Sequence, residues 1–326
     1  MSDYFRPVVQ TDIIRPKAAV DLTGGPLWFD QVEHMARGQV GQVIPASEIP
    51  KAVLDRLTRP RKNICEISMA QPSIMGILNV TPDSFSDGGL HIDPALAAQK
   101  MQQQGADIID IGGESTRPNA DYVGAETEIE RTVPVIKQLS GVLSIDTRKA
   151  AVADAAINAG AMMFNDVTAL SFDPDSLKIA ATADAVCLMH SVGTPKTMQD
   201  NPNYNNVLLD VYDYLETRIQ ACETAGIARH KIMVDPGIGF GKTVEHNLAL
   251  IRGISLFHGL GCTIMLGVSR KNTINQIANV PDPKQRFAGS IALAIQGLNQ
   301  GVQMLRVHDI AATKQAIDLW RAGTGQ

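Results

Sequence analysis

Only four cysteines occur in 326 residues, at positions 65, 187, 222 and 262, and no two of them form a CxxC or another zinc-like spacing. A disulfide-stapled scaffold and a thiolate metal cage are thereby excluded, and reduced, buried thiols are expected. The seven histidines are as dispersed as the cysteines, so no protein-caged metal is expected either. No apolar run approaches the roughly 18 residues a membrane helix needs. The opening MSDYFRPVVQTD has neither a basic n-region nor an apolar h-region, which points to a cytoplasmic protein without a membrane partner. An excess of one charge is missing too, since 29 basic side chains face 34 acidic ones for a formal charge of -5. Without Lys/Arg clusters or interleaved aromatics there is no electrostatic footprint for nucleic acid.

The length allows two domains or one large α/β barrel, either with a substantial core. Residues 1–72 stand apart, with proline at 7, 16, 26, 45, 50, 60 and 72 and weak periodicity except for a short helical stretch over 50–57. They read as an N-terminal extension packed on a main domain of residues 73–326, with Trp28 and Phe29 as anchors. From Ser73 onward eight short apolar runs recur: IMGIL, DIIDI, VLSI, AMMF, AVCLM, KIMV, TIMLGV and QMLRV. Helical spacing fills intervening segments such as 94–104, 148–159, 207–224, 243–257, 284–299 and 310–320. Strands of this kind are buried on both faces, and eight of them in about 250 residues favour a (β/α)8 TIM barrel over an open doubly wound sheet. Each run ends in polar residues: Asn79, Asp110, Asp146, Asn165 with Asp166, His190, Asp235, Ser269, and Arg306 with His308. A parallel barrel would bring all these ends to one rim, where active sites are built.

Several loops carry recognisable chemistry. In ILNVTPDSFSDGG, Asn79 either belongs to a polar turn or offers a neutral oxygen to a hard cation such as Mg2+. In GGESTRP, glycines permit close backbone approach while Thr116 and Arg117 can donate to an anion. Asp146 and Asn165 come directly off strands, which suits pocket roles, whereas Asp166 is equally well a helix cap. His190 and Met189 can be core residues. DPGIGFGKT approaches the phosphate-loop pattern, but Pro236 stands where its first glycine is required, so a nucleotide loop is disfavoured. Arg306 and His308 lie two apart at the last strand and share a face, with Val307 turned away, and two cations there suit a diphosphate or carboxylate.

These same stretches resemble the dihydropteroate synthase family of folate biosynthesis. ILNVTPDSFSDGG, DIIDIGGESTRP, SIDTRK, FNDVTA, MHSVGTPKTMQ, DPGIGFGK, GVSRK and RVHDI occur in family order, and the likeness runs from Ile74 to the C-terminus. The resemblance implies a barrel that joins 4-aminobenzoate to 6-hydroxymethyl-7,8-dihydropterin diphosphate, releasing pyrophosphate. By that resemblance Asp146, Asn165, Asp235 and Lys271 hold the pterin, Met189 and Phe240 line its slot, and Arg306 stacks on the ring while reaching the diphosphate. Asn79, through Mg2+, joins Thr116, Arg306 and His308 on the diphosphate. Phe85, Thr116, Arg117, Pro118 and Asn272 form the 4-aminobenzoate slot, which by analogy admits sulfonamides. Asp146, Lys271, Arg306 and His308 are the implied catalytic set, acting on an SN1-like path, and a homodimer is the implied assembly. Asn119 and Asn272 depart from the family's usual Gly and Ser, and altered affinity is expected there. Two rivals are a pterin-dependent methyltransferase on the same barrel and a catalytically silent paralogue. Intact ESTRP, SRK and RVH motifs argue against the first, and retention of every key polar residue argues against the second.

Overall fold

The computed structural model describes residues 3–81, 93–115, 120–193 and 202–325. Its N-terminal part is a small β structure: β1 (Asp3–Pro7), β4 (Gln31–Ala36) and β5 (Gln42–Pro45) form an antiparallel sheet, and β2 (Val20–Asp21) pairs with β3 (Trp28–Phe29). Helix α1 (Lys51–Thr58) follows. The weak periodicity of this stretch hid strands of two to six residues that pair locally and bury single positions such as Phe29 and Val32.

Eight parallel strands then close into a barrel, confirming the fold expected from the eight apolar runs. They are β6 (Ser73–Asn79), β7 (Ile108–Gly112), β8 (Val142–Asp146), β9 (Met163–Asp166), β10 (Ala185–Met189), β11 (Ile232–Asp235), β12 (Thr263–Leu266) and β13 (Met304–Val307), which pairs back with β6. Around them run α2 (Pro94–Gln103), α3 (Ala125–Ile136), α4 (Ala150–Asn158), α5 (Ser176–Ala180), α6 (Val207–Thr224), α7 (Val244–Arg252), α8 (Asn272–Ala278), α9 (Phe287–Leu298) and α10 (Ile310–Gly323). Local chemistry sets several helix starts: Asp93 accepts from the Ala95 amide ahead of Pro94, Asn206 caps α6, and Thr243 forms a reciprocal capping box with His246.

Alternation along the strands sorts the core into two layers. Ile109, Ile111, Leu143, Ile145, Phe164, Val186, Leu188, Val234, Leu266, Leu305 and Val307 pack outward with the helices. The alternate residues Met75, Ile108, Met163, Cys187, Met233, Met265 and Met304 cluster separately inside the barrel, joined by Ile64, Cys65 and Met69 from before β6. Unbranched methionines fill the barrel interior, and the N-terminal segment contributes to that packing. One step further along the same inward faces come Asp110, Asp146, Asn165, Asp235 and Arg306, so the period-two pattern that buries methionine also delivers the polar set to the rim.

Candidate active site

Arg306 ties the polar strand ends together. Its Nε donates to Asp110 Oδ2 at 2.7 Å and its Nη2 to Asp146 Oδ2 at 2.6 Å. Asn165 Nδ2 donates to the same Asp110 Oδ2 at 3.0 Å. The other oxygens, Asp110 Oδ1 and Asp146 Oδ1, are buried and have no hydrogen-bond partner among the described residues. A buried carboxylate oxygen without a donor costs free energy unless a ligand supplies one, so Asp146 is an acceptor prepared for an N–H group. Burial pushes the Asp146 carboxyl up to about 7, with Asp110, Glu128 and Asp166 acting in the same direction and Arg306 opposing. Across the barrel, Asp235 Oδ1 accepts the Gly237 amide at 2.7 Å, and burial raises this carboxyl as well, against the Gly237 bond and the charges of Lys271, Arg306 and Lys242.

Cations approach the same mouth from the loops after β12 and β13. Lys271 Nζ stands 4.2 Å above the centre of the Phe240 ring, a cation–π contact, and burial brings its ammonium down to about 8. Ser269 Oγ accepts the His308 backbone N–H at 3.1 Å and lies 2.9 Å from His308 Nδ1. Where the serine hydroxyl donates to Nδ1, a neutral His308 ring carries its proton on Nε2, the end that can donate to an anion. Strand β13 ends at Val307, so His308 lies just past the strand rather than on it, held by Ser269.

The segment after β11 shows why DPGIGFGK is not a nucleotide loop. Gly237, Gly239 and Gly241 all have positive φ, turning carbonyls inward onto Lys242. Lys242 Nζ lies 2.9 Å from Gly237 O, 3.0 Å from Phe240 O, 3.2 Å from His190 O and 2.8 Å from His190 Nδ1. The lysine therefore pins its own loop instead of reaching for a phosphate. Burial takes it down to about 7, opposed by Asp235 and reinforced by Lys271. Burial and Lys242 hold His190 near 3, which makes it a neutral, satisfied core histidine.

Other expected residues fall as follows. Met189 is buried and lies in register with Asp235 on the neighbouring strand. A Cβ built at Gly112 would stand 3.7 Å from Asn79 Oδ1 and 3.6 Å from Asp146 Oδ2, so both oxygens border one spot. Asp166 accepts from Thr168 and Leu170 and shapes its own turn. Asn272 begins α8 next to Lys271, is exposed, and its side chain accepts from Asn275 at 3.2 Å. Phe85, Thr116, Arg117, Pro118 and Asn119 lie outside the described residues. The flanks of the last four are tied down: Glu114 accepts the Val123 amide at 3.0 Å and pairs with Lys149 at 2.8 Å, which in turn meets Glu128 at 2.7 Å. Among the described residues no cluster of His, Cys, Asp or Glu could cage a metal. A lone amide oxygen such as that of Asn79 fits Mg2+ that keeps waters and arrives on a diphosphate. Sequence reading did not assign site roles to Asp110, Ser269, Lys242 or Lys149, although Asp110 and Ser269 did carry a signal as polar strand ends.

Residues 75–308 match the family model described as pterin binding enzyme. The dihydropteroate synthase of Escherichia coli strain K12 is 44% identical over 259 residues, covering 77% of this chain and 91% of the relative. In three dimensions the chain is similar to the Yersinia pestis dihydropteroate synthase in a sulfonamide drug complex, with a TM-score of 0.76 and 43% identity over 80% of this chain and 97% of that one. It is also similar to the Xanthomonas albilineans dihydropteroate synthase with 4-aminobenzoic acid, with a TM-score of 0.75 and 41% identity over 80% and 96% of the two chains.

Proposed function

Because the chain belongs to the pterin-binding enzyme family, we infer that it is a transferase that condenses 6-hydroxymethyl-7,8-dihydropterin diphosphate with 4-aminobenzoate, giving 7,8-dihydropteroate and pyrophosphate. The observation that carries this reading is the two-sided rim: buried acceptors Asp146, Asn165 and Asp235 face the cations Lys271 and Arg306, with His308 beside them. A reduced pterin has N–H donors along one edge and an anionic diphosphate at the far end, and the rim is complementary to both. Asp235 accepts the donor pair of the guanidine-like edge, Asn165 and Asp146 meet neighbouring ring nitrogens, and Lys271 addresses the ring oxygen or N5. Met189 and Phe240 line the slot. Arg306 lies against the ring and, with His308 and Thr116, addresses the diphosphate. Phe85, Thr116, Arg117, Pro118 and Asn272 receive 4-aminobenzoate.

Bond breaking needs little proton transfer, since a diphosphate departs readily once its charge is neutralised. The methylene carbon–oxygen bond breaks and its electron pair leaves on the diphosphate, held by Arg306 and His308. The methylene cation is delocalised into the pterin ring and faces the Asp146 carboxylate. The arylamine nitrogen then supplies its lone pair to form the C–N bond, and its proton passes to solvent. Asn79 would hold Mg2+ arriving on the diphosphate, and the ion would supply further neutralisation of the leaving group's charge. We assign the chain to the cytoplasm and to a homodimer formed through the helices that follow the seventh and eighth barrel strands, a surface supported by exposed Ile277 and Phe287 on α8 and α9 and Leu319 on α10. Light scattering on the purified chain tests the dimer. Pyrophosphate release measured with and without 4-aminobenzoate tests the reaction: release that depends on the amine supports it, and silence in both overturns it.

A further inference from the structure

We propose that Asp110 is a positioning residue for this reaction, a buried carboxylate below the substrate layer that sets the orientation of both Arg306 and Asn165. The inference rests on the transfer reaction proposed above. Asp110 is fully buried on β7, in register with Ser144 of β8, while Asp146 sits level with Gly112, two residues nearer the mouth. Asp110 is therefore set deeper than the carboxylate that faces the pterin. One of its oxygens accepts two bonds, from Arg306 Nε at 2.7 Å and from Asn165 Nδ2 at 3.0 Å.

Each bond fixes a different choice. A guanidinium held by Asp146 alone can pivot about that contact. Held at Nε by Asp110 and at Nη2 by Asp146, its plane is fixed while the remaining nitrogen, Nη1, stays available for the leaving group and the flat face for the ring. For Asn165, whose amide could be turned either way, the Asp110 oxygen that already accepts from Arg306 takes a donor and so holds the NH2 inward. The Asn165 carbonyl oxygen is then the end that a ligand meets, which selects a pterin ring N–H over a ring acceptor. Asp110 thus acts through two neighbours from below the level of Asp146, and its negative charge balances Arg306.

Asp110→Asn keeps the size of the side chain but removes the charge and lets Asn165 turn. The expected result is a fall in kcat of about tenfold or more and a similar rise in KM for the pterin diphosphate, with KM for 4-aminobenzoate within about twofold of the parent. Losses from Asp110→Asn and Arg306→Met should be less than additive, the part carried by Arg306 being lost only once while the part carried by Asn165 remains. Unchanged kinetics, equal rises in both KM values or additive losses would overturn the proposal. Should Asp110→Asn not fold, the unmodified protein gives a second readout. Its Arg306 Nε proton, bonded to a buried carboxylate, should exchange slowly in nitrogen-15 spectra and shift when 6-hydroxymethylpterin is added; exchange as fast as that of an exposed guanidinium sinks the assignment. Pterin binding measured by calorimetry separates the two hypotheses: amine-independent or absent turnover counts against the reaction, whereas parental pterin affinity in Asp110→Asn counts against the role of Asp110.

Discussion

Arg306 and Lys271 bring positive charge to a mouth whose buried acceptors are carboxylates and an amide, so the ionisation of single side chains should be visible in the kinetics. Asp146, raised to about 7 by burial, becomes an acceptor for a pterin N–H only after losing its proton, and activity should fall as pH drops below that value. Lys271, brought down to about 8 by burial, loses its charge above that value and activity should fall again. A profile of kcat/KM for the pterin diphosphate is therefore expected to be bell-shaped with limbs near 7 and 8, and Asp146→Asn should abolish the acid limb along with most of the rate. A flat profile across this range would contradict both assignments. The same shift bears on stability: the folded-state pKa of Asp146 lies above the ordinary 3.8, so ionising it is unfavourable and its contribution to stability weakens as pH rises from about 4 to 7. Arg306→Lys keeps a charge but loses the fork that spans Asp110 and Asp146, and kcat should drop on the order of 100-fold, read by steady-state kinetics.

At the scale of elements, the strands were legible in the sequence because each carries apolar residues on both faces and ends in a polar one. The helices were legible less evenly. The pattern over 243–257 suggests one helix, but α7 stops at Arg252 and a 3-10 segment, Ile254–Leu260, ends at Gly261 with a φ of 75°. Helices α3, α5 and α8 were not among the segments singled out, the last two being only 5 and 7 residues long. Asp110 was visible as a strand end, yet its tie to Arg306 spans 196 positions and no spacing rule reaches that far. In the β11 loop the near-match to a phosphate loop, disfavoured by Pro236, has its lysine turned onto its own carbonyls. Lys242→Met would take this donor from the carbonyls of Phe240 and His190 and leave Gly237 O only the Phe240 amide, and a loss of about 2–4 kcal/mol is expected by chemical denaturation. The pterin KM should rise with it, because this loop carries Asp235 and Phe240. Gly237→Ala should be worse, since φ is 70° and a Cβ would run into the His190 carbonyl. Little folded protein is expected, and a parental denaturation midpoint would show that the loop can be built another way.

The whole molecule joins its N-terminal β structure to the barrel through shared core rather than through a linker. Leu22, Leu27, Phe29, Val32 and Leu57 belong to the same apolar cluster as the helices and outward strand faces, and each such side chain contributes about 1.5–3 kcal/mol by burial. Polar ties run alongside: Tyr4 donates to Asp213 on α6 at 2.8 Å, and Ser255 Oγ donates to the Pro7 carbonyl at 2.9 Å. Arg61 donates to the carbonyls of His258 and Cys262 at 2.9 and 3.1 Å. That guanidinium is buried enough for its pKa to come down to about 10, so its removal takes a donor from each carbonyl, leaving His258 O only the Gly261 amide, and opens a void. Since the two parts share one core, calorimetry on the full chain should show a single cooperative transition, and Arg61→Ala should lower its midpoint without splitting it. A chain starting at Ser73 would expose this apolar surface and lose Ile64, Cys65 and Met69 from the barrel interior, and should be recovered as aggregate. Two resolved transitions in the full chain, or a soluble truncated barrel with parental pyrophosphate release, would show instead that the N-terminal structure is carried by the barrel without supporting it.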